Sequence, residues 1–272
     1  MSSLQSNTEL FNADIIKSAI EMDNQCYLSA LDIFDSINST NTYLLECAKV
    51  GAPSGSICFA EQQTQGRGRL GREWFSPRGA NLYCSVLWYF PAAQPDLAAL
   101  SLAVAAMVAT ALKKYGINTG IELKWPNDIL FAGRKLAGIL LERLPEKAGK
   151  IAVVIGIGLN LQLPKAHPEV SNWIDVAEIT GNTVSRNYLA GLIVNELLSQ
   201  LNIYQHQGSS PFLDVWRQYN VMQGKEIMVH VNNDMIVGVF HDISEQGELI
   251  LQCGNGKLKY FQCGEVSVRT KN

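Results

Sequence analysis

Apolar residues recur at the three-to-four-residue spacing of helices in four parts of the chain. Residues 11–22 (FNADIIKSAIEM) show this spacing after a polar start, which predicts a short helix. Three further helices are predicted, and the first two of them have a suitable capping or stop residue beside the pattern. These predicted helices run from Ser39 or Thr40 through Lys49, from a cap at Asp96 to a stop at Gly116, and from Asn187 to Gln205.

Short apolar or alternating runs between these segments predict β-strands. Turn-forming residues separate them, among them the WPND segment at 125–128. The predicted strands are Leu31–Ile37, Ser56–Ala60, Asn81–Phe90, Ile121–Lys124, Ile129–Phe131, Lys135–Arg143 and Ile151–Ile157. Because helices and strands are interleaved along the chain, we expect a mixed α/β sheet covered by helices.

The pattern changes after about residue 220, where short β-runs follow one another without a helical segment. Turn signals at Asn232-Asn233, Gln246-Gly247 and residues 254–256 predict a small β-barrel of about 50 residues. We therefore expect three parts along the chain. They are a loose tail at residues 1–10, an α/β body at 11–219 and a C-terminal β-domain at 220–272.

The composition is that of a packed globular protein, with 47% hydrophobic and 17% charged residues. A net charge of −3 provides no overall basic field for nucleic acid or an anionic membrane, so positive potential must be local. The apolar stretch at 97–112 is shorter than the roughly 20 residues of a membrane span, and the first residues lack a signal-peptide pattern. Six scattered cysteines show no metal-binding spacing. We expect reduced thiols, a cytoplasmic protein, and neither nucleic acid nor a membrane as partner.

The segment GRGRLGR at 66–72 contains three glycines and three arginines within seven residues. Its glycines have the spacing of the dinucleotide fingerprint, but that motif requires a following helix, and here a loop and a strand follow. A kinase glycine-rich loop is excluded as well, because the other kinase motifs are missing. A flexible anion-holding loop fits, and a solvated basic loop or an RNA-contacting tract remain as alternatives. The three guanidiniums belong to Arg67, Arg69 and Arg72.

A second group of polar residues surrounds the WPND turn. Asn127 and Asp128 are ordinary turn formers, so the bland interpretation is a tight turn between two strands. The functional interpretation is that Lys124 and Lys135, on adjoining strands, converge with Asp128. Two ammoniums and one carboxylate suit a metal-bound polyphosphate.

A third group is the sequence Gly156-Ile-Gly158-Leu-Asn160 at the end of a buried strand. Its dinucleotide pattern is incomplete, and the glycines alone are typical of a strand bend. Asn160 is more informative, because α/β sheets place ligand-binding polar groups at strand ends.

Five motifs occur in order between residues 39 and 160, and together they resemble the biotin protein ligase family. The resemblance implies a fold related to class II aminoacyl-tRNA synthetases and an SH3-like C-terminal barrel. It also implies a two-step reaction, in which biotin and ATP give biotinyl-5′-AMP and a lysine of a biotin carboxyl carrier protein is then biotinylated. The motifs are STN at 39–41, QxxGRGRxGRxW at 63–74, KWPND at 124–128, KLAGIL at 135–140 and GxGxN at 156–160.

The resemblance implies a role for each matching residue. The catalytic residues would be Arg69, Lys124, Asp128 and Lys135. Those binding biotin would be Ser39, Thr40, Asn41, Gln63, Gly66, Arg67, Gly68, Arg69, Lys135, Gly138, Gly156 and Gly158. Those binding ATP or the adenylate would be Arg69, Arg72, Trp74, Lys124, Asn127, Lys135, Asn160 and Trp173. Asp128 would contact Mg²⁺, and Glu265 and Arg269 match charged family positions.

Further expectations concern the loop, the partners and the rivals. We expect the loop at 66–72 to be mobile when empty and ordered over ligand, and a homodimer is compatible with the family. A lipoate or octanoate ligase is the rival of the same fold, but its GGG motif is absent. An RNA-binding protein would require further basic and aromatic clusters. About 30 residues precede the strand at Leu31, too few for the winged helix of repressor-type ligases, so we expect the monofunctional type.

Overall fold

The structure is a computed structural model. It describes residues 9–93, 97–164, 172–231, 234–254, 256–263 and 266–270. Several helices in these ranges begin at a capping side chain, as at Ser39, whose hydroxyl accepts a hydrogen bond from the Thr42 N–H at 3.4 Å. The helices are α1 (Ala13–Ser18), α2 (Met22–Gln25), α3 (Thr40–Lys49), α4 (Leu97–Tyr115), α5 (Val176–Thr180), α6 (Arg186–Gln207) and α7 (Ser210–Tyr219).

A seven-stranded mixed sheet forms the body of the molecule. Its strands are β1 (Ala30–Phe34), β2 (Ser56–Ala60), β3 (Asn81–Pro91), β4 (Ile121–Lys124), β5 (Asp128–Phe131), β6 (Arg134–Arg143) and β7 (Lys150–Asn160). The spatial order is β1-β2-β3-β7-β6-β5-β4, and β1 pairs with β2 in parallel while the other neighbours are antiparallel. The mixed α/β class predicted from the sequence is therefore confirmed.

Most predicted elements lie close to their predicted positions. Strand β2 has the predicted bounds, and the helix predicted up to Lys49 begins with Ser39 as its cap. The first strand ends at Phe34 rather than Ile37, because a bend follows it. The sequence interpretation did not find α5, which is a little over one turn long, or α7. The expected caps and turns at Asp96 and at residues 232–233 lie outside the described residues.

The long helix α4 forms the centre of the core. It packs against α6 and α7, and its alanine-rich face lets the helices approach closely. By length and composition this helix could also cross a membrane, yet 78% of its most apolar 18-residue window is buried inside the fold. Packing in the core therefore accounts for its hydrophobicity, as expected from its Ala, Ser and Thr content.

The C-terminal strands form an antiparallel sheet in the order β11-β10-β9-β8-β12. They are β8 (Glu226–Val231), β9 (Asp234–Ile243), β10 (Leu249–Gln252), β11 (Leu258–Phe261) and β12 (Val266–Thr270). The turn between β9 and β10 packs against α4, because a Cβ on Gly247 would lie 2.4 Å from the Ala99 nitrogen. Trp125 Nε1 donates to the Gly247 carbonyl at 2.9 Å. The predicted β-domain is present, and its exact boundary at residue 220 stays a prediction.

A buried ion pair joins the sheet to α6. Arg186 donates to Glu61 Oε2 at 2.9 Å and to the Asn81 carbonyl at 3.0 Å, and both charged side chains are 4% exposed. The Phe11 N–H donates to the other Glu61 oxygen at 2.5 Å, and the Phe11 ring lies 4.1 Å from the Arg186 guanidinium carbon. The pair thus ties the N-terminal segment, β2 and α6 together at one end of the sheet.

Replacing Arg186 with methionine would leave the Glu61 carboxylate buried without its cation. We expect the free energy of unfolding to fall by about 3 kcal/mol or more, measured by urea denaturation at neutral pH. The matched control is Arg78→Met, which removes an exposed ion pair with Asp35 and should leave the urea midpoint almost unchanged. Equal midpoints for Arg186→Met and the wild type would contradict this account.

Candidate active site

One cavity of about 380 Å³ lies over β6 and β7, between the start of α3 and the loop at 66–72. It contains every predicted site residue except Gly66 and Asn160. Its wall comprises Ser39, Thr40, Asn41, Gln63, Arg67, Gly68, Arg69, Leu70, Arg72, Glu73, Trp74, Cys84, Lys124, Trp125, Pro126, Asn127, Asp128, Lys135, Gly138, Ile139, Leu140, Gly156, Ile157, Gly158, Trp173 and Val268. The motifs, distant in sequence, therefore meet at one place.

Buried neutral polar groups form one end of the cavity. Gln63 Oε1 accepts hydrogen bonds from the Thr40 N–H at 3.0 Å and from its hydroxyl at 3.2 Å. Gln63 Nε2 donates to Ser76 Oγ at 3.1 Å, so both ends of this amide are oriented. Thr40 and the neighbouring Ser39 are each 3% exposed. Buried groups held in this way can recognise a polar ligand without reorganising.

Asn41 occupies the space above Gly156. A Cβ on Gly156 would lie 2.3 Å from Asn41 Oδ1, so glycine is required for this side chain to lie on the sheet. Asn41 Oδ1 lies 2.6 Å from Ser85 Oγ, and Ser85 Oγ lies 2.7 Å from Thr40 Oγ1. Gly156 therefore contributes to the site by making room for Asn41.

Charged side chains form the other end of the cavity. Lys135 Nζ lies 2.7 Å from Asp128 Oδ1, and both side chains are about one quarter exposed. Lys124 ends β4 and Asp128 opens β5, where the two residues are register partners. The predicted convergence of the two lysines and the aspartate is therefore present. In all, five cationic and two acidic side chains line the cavity of a chain whose net charge is −3.

Arg69 reaches from the loop to two other parts of the chain. It donates to Asn127 Oδ1 at 3.2 Å and to the backbone carbonyl of Cys263. Burial lowers the pKa of the Arg69 guanidinium, and the nearby Asp128 carboxylate opposes that shift. The guanidinium stays charged, because the pKa of arginine lies far above neutrality. Arg69 is thus a partly desolvated cation, whose attraction for anions is stronger than that of an exposed one.

Two tryptophans stack above the glycines of β6 and β7. The rings of Trp74 and Trp173 are 5.2 Å apart with an interplanar angle of 20°. A Cβ on Gly158 would lie 2.4 Å from the Trp74 indole, and one on Gly138 would lie 3.0 Å from it. Trp74 Nε1 is buried without a hydrogen-bond partner in the structure. These two glycines, predicted as biotin contacts, therefore make room for Trp74.

The loop at 66–72 is folded back on itself. The Gly68 N–H donates to the Arg72 carbonyl at 2.7 Å, and the Trp74 N–H donates to the Gly66 carbonyl at 2.9 Å. Leu70 lies in the left-handed region with φ 56°, which is unfavourable for a side chain of this size, and it is 58% exposed. The predicted change of this loop between empty and bound states stays a prediction.

Two predicted ligand residues lie behind the cavity wall. Asn160 is fully buried, and its Nδ2 donates to the carbonyls of Lys135 and Ile174, each at 3.2 Å. Its Nδ2 thus supports the backbone that presents Lys135, while its Oδ1 is buried without a hydrogen-bond partner in the structure, and its predicted contact with ATP stays a prediction. Gly66 packs against the Trp74 carbonyl, only 2.4 Å from where its Cβ would lie, and so allows the loop to turn.

Several cavity or supporting residues were not found from the sequence. Ser85 is a strand residue opposite Gly156 in the β3–β7 register, and Glu142 contacts both Asn41 and Arg67. Cys84 lines the wall, and burial raises the pKa of its thiol, so it stays neutral. Val268 brings the C-terminal sheet into the wall. The register of β3 and β7 identifies Ser85 once the strand pairing is known, and no local motif marks the other residues. Glu265 lies outside the described residues.

The cavity offers few ligands for a resident metal ion. Among the described residues no group of three His, Cys, Asp or Glu side chains could hold one. Asp128 is already paired with Lys135. A single neutralised carboxylate suits an ion that arrives with phosphates and retains most of its water, as Mg²⁺ does.

Comparisons with known proteins agree with this arrangement. The chain is 35% identical over 271 residues to the Bifunctional ligase/repressor BirA of Salmonella typhimurium, covering 98% of this chain and 81% of that one. It is 33% identical to the biotin--[acetyl-CoA-carboxylase] ligase of Mycobacterium tuberculosis, covering 87% and 88%. A solved structure of biotin protein ligase from Aquifex aeolicus in complex with biotin and ATP has a TM-score of 0.78 and 27% identity, covering 90% of this chain and all of that one.

Family models match both parts of the chain. Residues 33–160 match the Biotin/lipoate A/B protein ligase family, and residues 224–269 match the Biotin protein ligase C terminal domain. Fold and site thus define a ligase of the biotin and lipoate class. The identity to these relatives extends over more than four fifths of each of them, and the chain belongs to the biotin protein ligase family. The predicted family, fold class and enzyme class are confirmed.

Gly158→Ala would test the role of the glycine patch, because its Cβ would meet the Trp74 indole. We expect the free energy of unfolding to fall by about 1–3 kcal/mol, with a changed near-ultraviolet circular dichroism spectrum from the Trp74–Trp173 pair. In a Trp74→Leu background the same substitution should cost much less, as a double-mutant cycle measures. Gly254→Ala, with nothing within 4 Å of the added Cβ, is the control. The same cost in both backgrounds would refute the packing argument.

Proposed function

We propose that this cavity condenses biotin with ATP to biotinyl-5′-AMP and then transfers the biotinyl group to a lysine of a biotin carboxyl carrier protein. The observation that carries the proposal is the division of one cavity into a neutral polar end and a cationic end. The neutral end suits an uncharged cyclic urea, and the cationic end suits a carboxylate beside a triphosphate. Membership in the biotin protein ligase family supports the same reaction.

At the neutral end, Ser39, Thr40 and Gln63 bind the ureido ring. The Thr40 oxygen accepts from a ureido N–H, and the second Gln63 Nε2 hydrogen is available to the ureido carbonyl. A site built for such hydrogen bonds rejects an acid that lacks them, because its buried polar groups would be left unpaired. This argues against the lipoate or octanoate ligase that shares the fold.

At the cationic end, Lys135 brings two anions together. A carboxylate 4 Å from an α-phosphate is repelled by about 4 kcal/mol at an effective dielectric of 20. An ammonium has three donors, so Lys135 can keep Asp128 and still donate to the carboxylate and to the α-phosphate. Attack of the carboxylate oxygen on the α-phosphorus then forms the mixed anhydride and releases pyrophosphate. Arg69, Arg72 and Lys124 neutralise the phosphate charges.

The stacked tryptophans provide an apolar, aromatic wall for the nucleotide. Trp173 and Trp74 both line the cavity, and flat aromatic rings suit the stacking of a purine. Mg²⁺ enters as part of the ATP substrate, held by phosphate oxygens and water, with Asp128 as the nearby carboxylate. Asn127 holds Arg69 in position beside these groups.

In the second step, the carrier lysine attacks the carbonyl of the mixed anhydride, and AMP leaves. The attacking amine must be neutral, although the pKa of a free lysine is about 10.4. We assign Asp128 as the group that orients this amine and accepts its proton. We place the enzyme in the cytoplasm, and we retain the homodimer as a further proposal.

Pyrophosphate–ATP exchange measured with different acids tests the proposed function. We expect exchange with biotin and none without an acid. We expect none with lipoate or octanoate either, because these acids leave Thr40 and Gln63 unpaired. Exchange with lipoate but not biotin would identify the rival ligase instead. A protein without exchange for any acid would not be an adenylating enzyme.

Arg69→Ala removes the desolvated cation that also joins the loop to the WPND turn and the C-terminal sheet. We expect biotinyl-adenylate to dissociate faster by a factor on the order of 10², measured by a chase with unlabelled biotin and ATP. Arg143→Ala, at the exposed end of β6, is the control and should not change this rate. An unchanged dissociation rate in Arg69→Ala would contradict the role of Arg69 in holding the adenylate.

A further inference from the structure

Glu142, on β6, touches the cavity only through other residues. Its Oε2 accepts a hydrogen bond from Arg67 and another from Asn41 Nδ2, each at 2.8 Å. The side chain is 24% exposed and does not line the cavity itself, whereas both of its partners do. Glu142 therefore connects the glycine-rich loop with the start of α3.

The carboxylate of Glu142 fixes the direction of the hydrogen bonds beyond it. An ionised carboxylate only accepts, so the Asn41 amide must present its NH₂ group to Glu142. The carbonyl Leu140 O, 3.4 Å from the same nitrogen, reinforces this orientation. Asn41 Oδ1 therefore faces Ser85, whose hydroxyl donates to it at 2.6 Å. Having used its one hydrogen, Ser85 is an acceptor towards Thr40 at 2.7 Å.

A second acceptor, the Trp74 carbonyl, fixes the directions of the hydrogen bonds at the other end of this network. The Trp74 carbonyl accepts from the Ser76 hydroxyl at 2.8 Å, so Ser76 is an acceptor towards Gln63 Nε2 at 3.1 Å. The Gln63 amide must then turn its oxygen to Thr40. Both series of hydrogen bonds end at the Thr40 hydroxyl. Its single hydrogen can be donated either to Gln63 Oε1 or to Ser85 Oγ. Its oxygen consequently faces the cavity as an acceptor.

We propose that Glu142 is a positioning residue that sets the donor and acceptor pattern of the neutral end of the cavity. Through Asn41 it directs the Ser85 hydrogen away from Thr40, so Ser85 does not donate to the Thr40 oxygen, which can accept from an N–H of a cyclic urea. Through Arg67 it also ties the glycine-rich loop to β6. The identity of the ligand as a cyclic urea rests on the proposed function.

Glu142→Gln keeps the shape of the side chain but lets it donate, so the Asn41 amide can turn over and the pattern is lost. We expect the Kd for biotin to rise about 10- to 100-fold, with the Kd for ATP and the unfolding midpoint nearly unchanged. Isothermal titration calorimetry and thermal denaturation measure these quantities. The control is Glu46→Gln on the exposed side of α3, which should leave biotin binding unchanged.

Two further measurements separate positioning from a general structural role. In the double variant Glu142→Gln with Asn41→Asp, donor and acceptor exchange places, and an acceptor again faces Ser85, so biotin affinity should recover at least several-fold. The probe 2-iminobiotin replaces the urea oxygen with a donor, and Glu142→Gln should reduce the preference for biotin over this probe. Unchanged biotin affinity, an unchanged preference, or no recovery in the double variant would each overturn the assignment. Failure of the wild type to bind biotin would overturn the proposed function as well.

Discussion

The active site depends on a patch of sheet that carries no side chains. Gly156 and Gly158 point to the same face of β7, because side chains alternate along a strand. Gly138 lies opposite Gly158 in the β6–β7 register and completes the patch. Asn41 and Trp74 lie directly on it, within contact distance of where the missing Cβ atoms would be. An alanine at any of these positions would push one wall of the cavity away from the other.

The local features of the fold could be predicted from the sequence, because their causes are local. The Ser39 cap, the apolar run of β2 and the stop of α4 before Gly116 each depend on a few neighbouring residues. The motifs also indicated most of the cavity wall, since each motif lies on one loop or strand end. The resemblance to a known family then joined these motifs into one site.

Residues whose role depends on strand pairing could not be found in this way. Ser85 belongs to the site because β3 pairs with β7 and places it opposite Gly156, more than 70 residues away in sequence. Asn160 shows the same limit: the sequence places an amide at a strand end, but only the fold shows that its Nδ2 faces the backbone of Lys135. Side-chain direction at a strand end is a tertiary property.

The contact between Arg69 and the Cys263 carbonyl affects the order in which the active site is assembled during synthesis. The glycine-rich loop lies in the first third of the chain. Its anchor, the Cys263 carbonyl, lies just before β12, and the wall residue Val268 lies in β12. During synthesis on the ribosome, residues 66–72 emerge long before Cys263 and Val268, so this side of the cavity is assembled last. A chain that ends before β12 would therefore lack the anchor of the glycine-rich loop and one residue of the wall that separates a reactive anhydride from water.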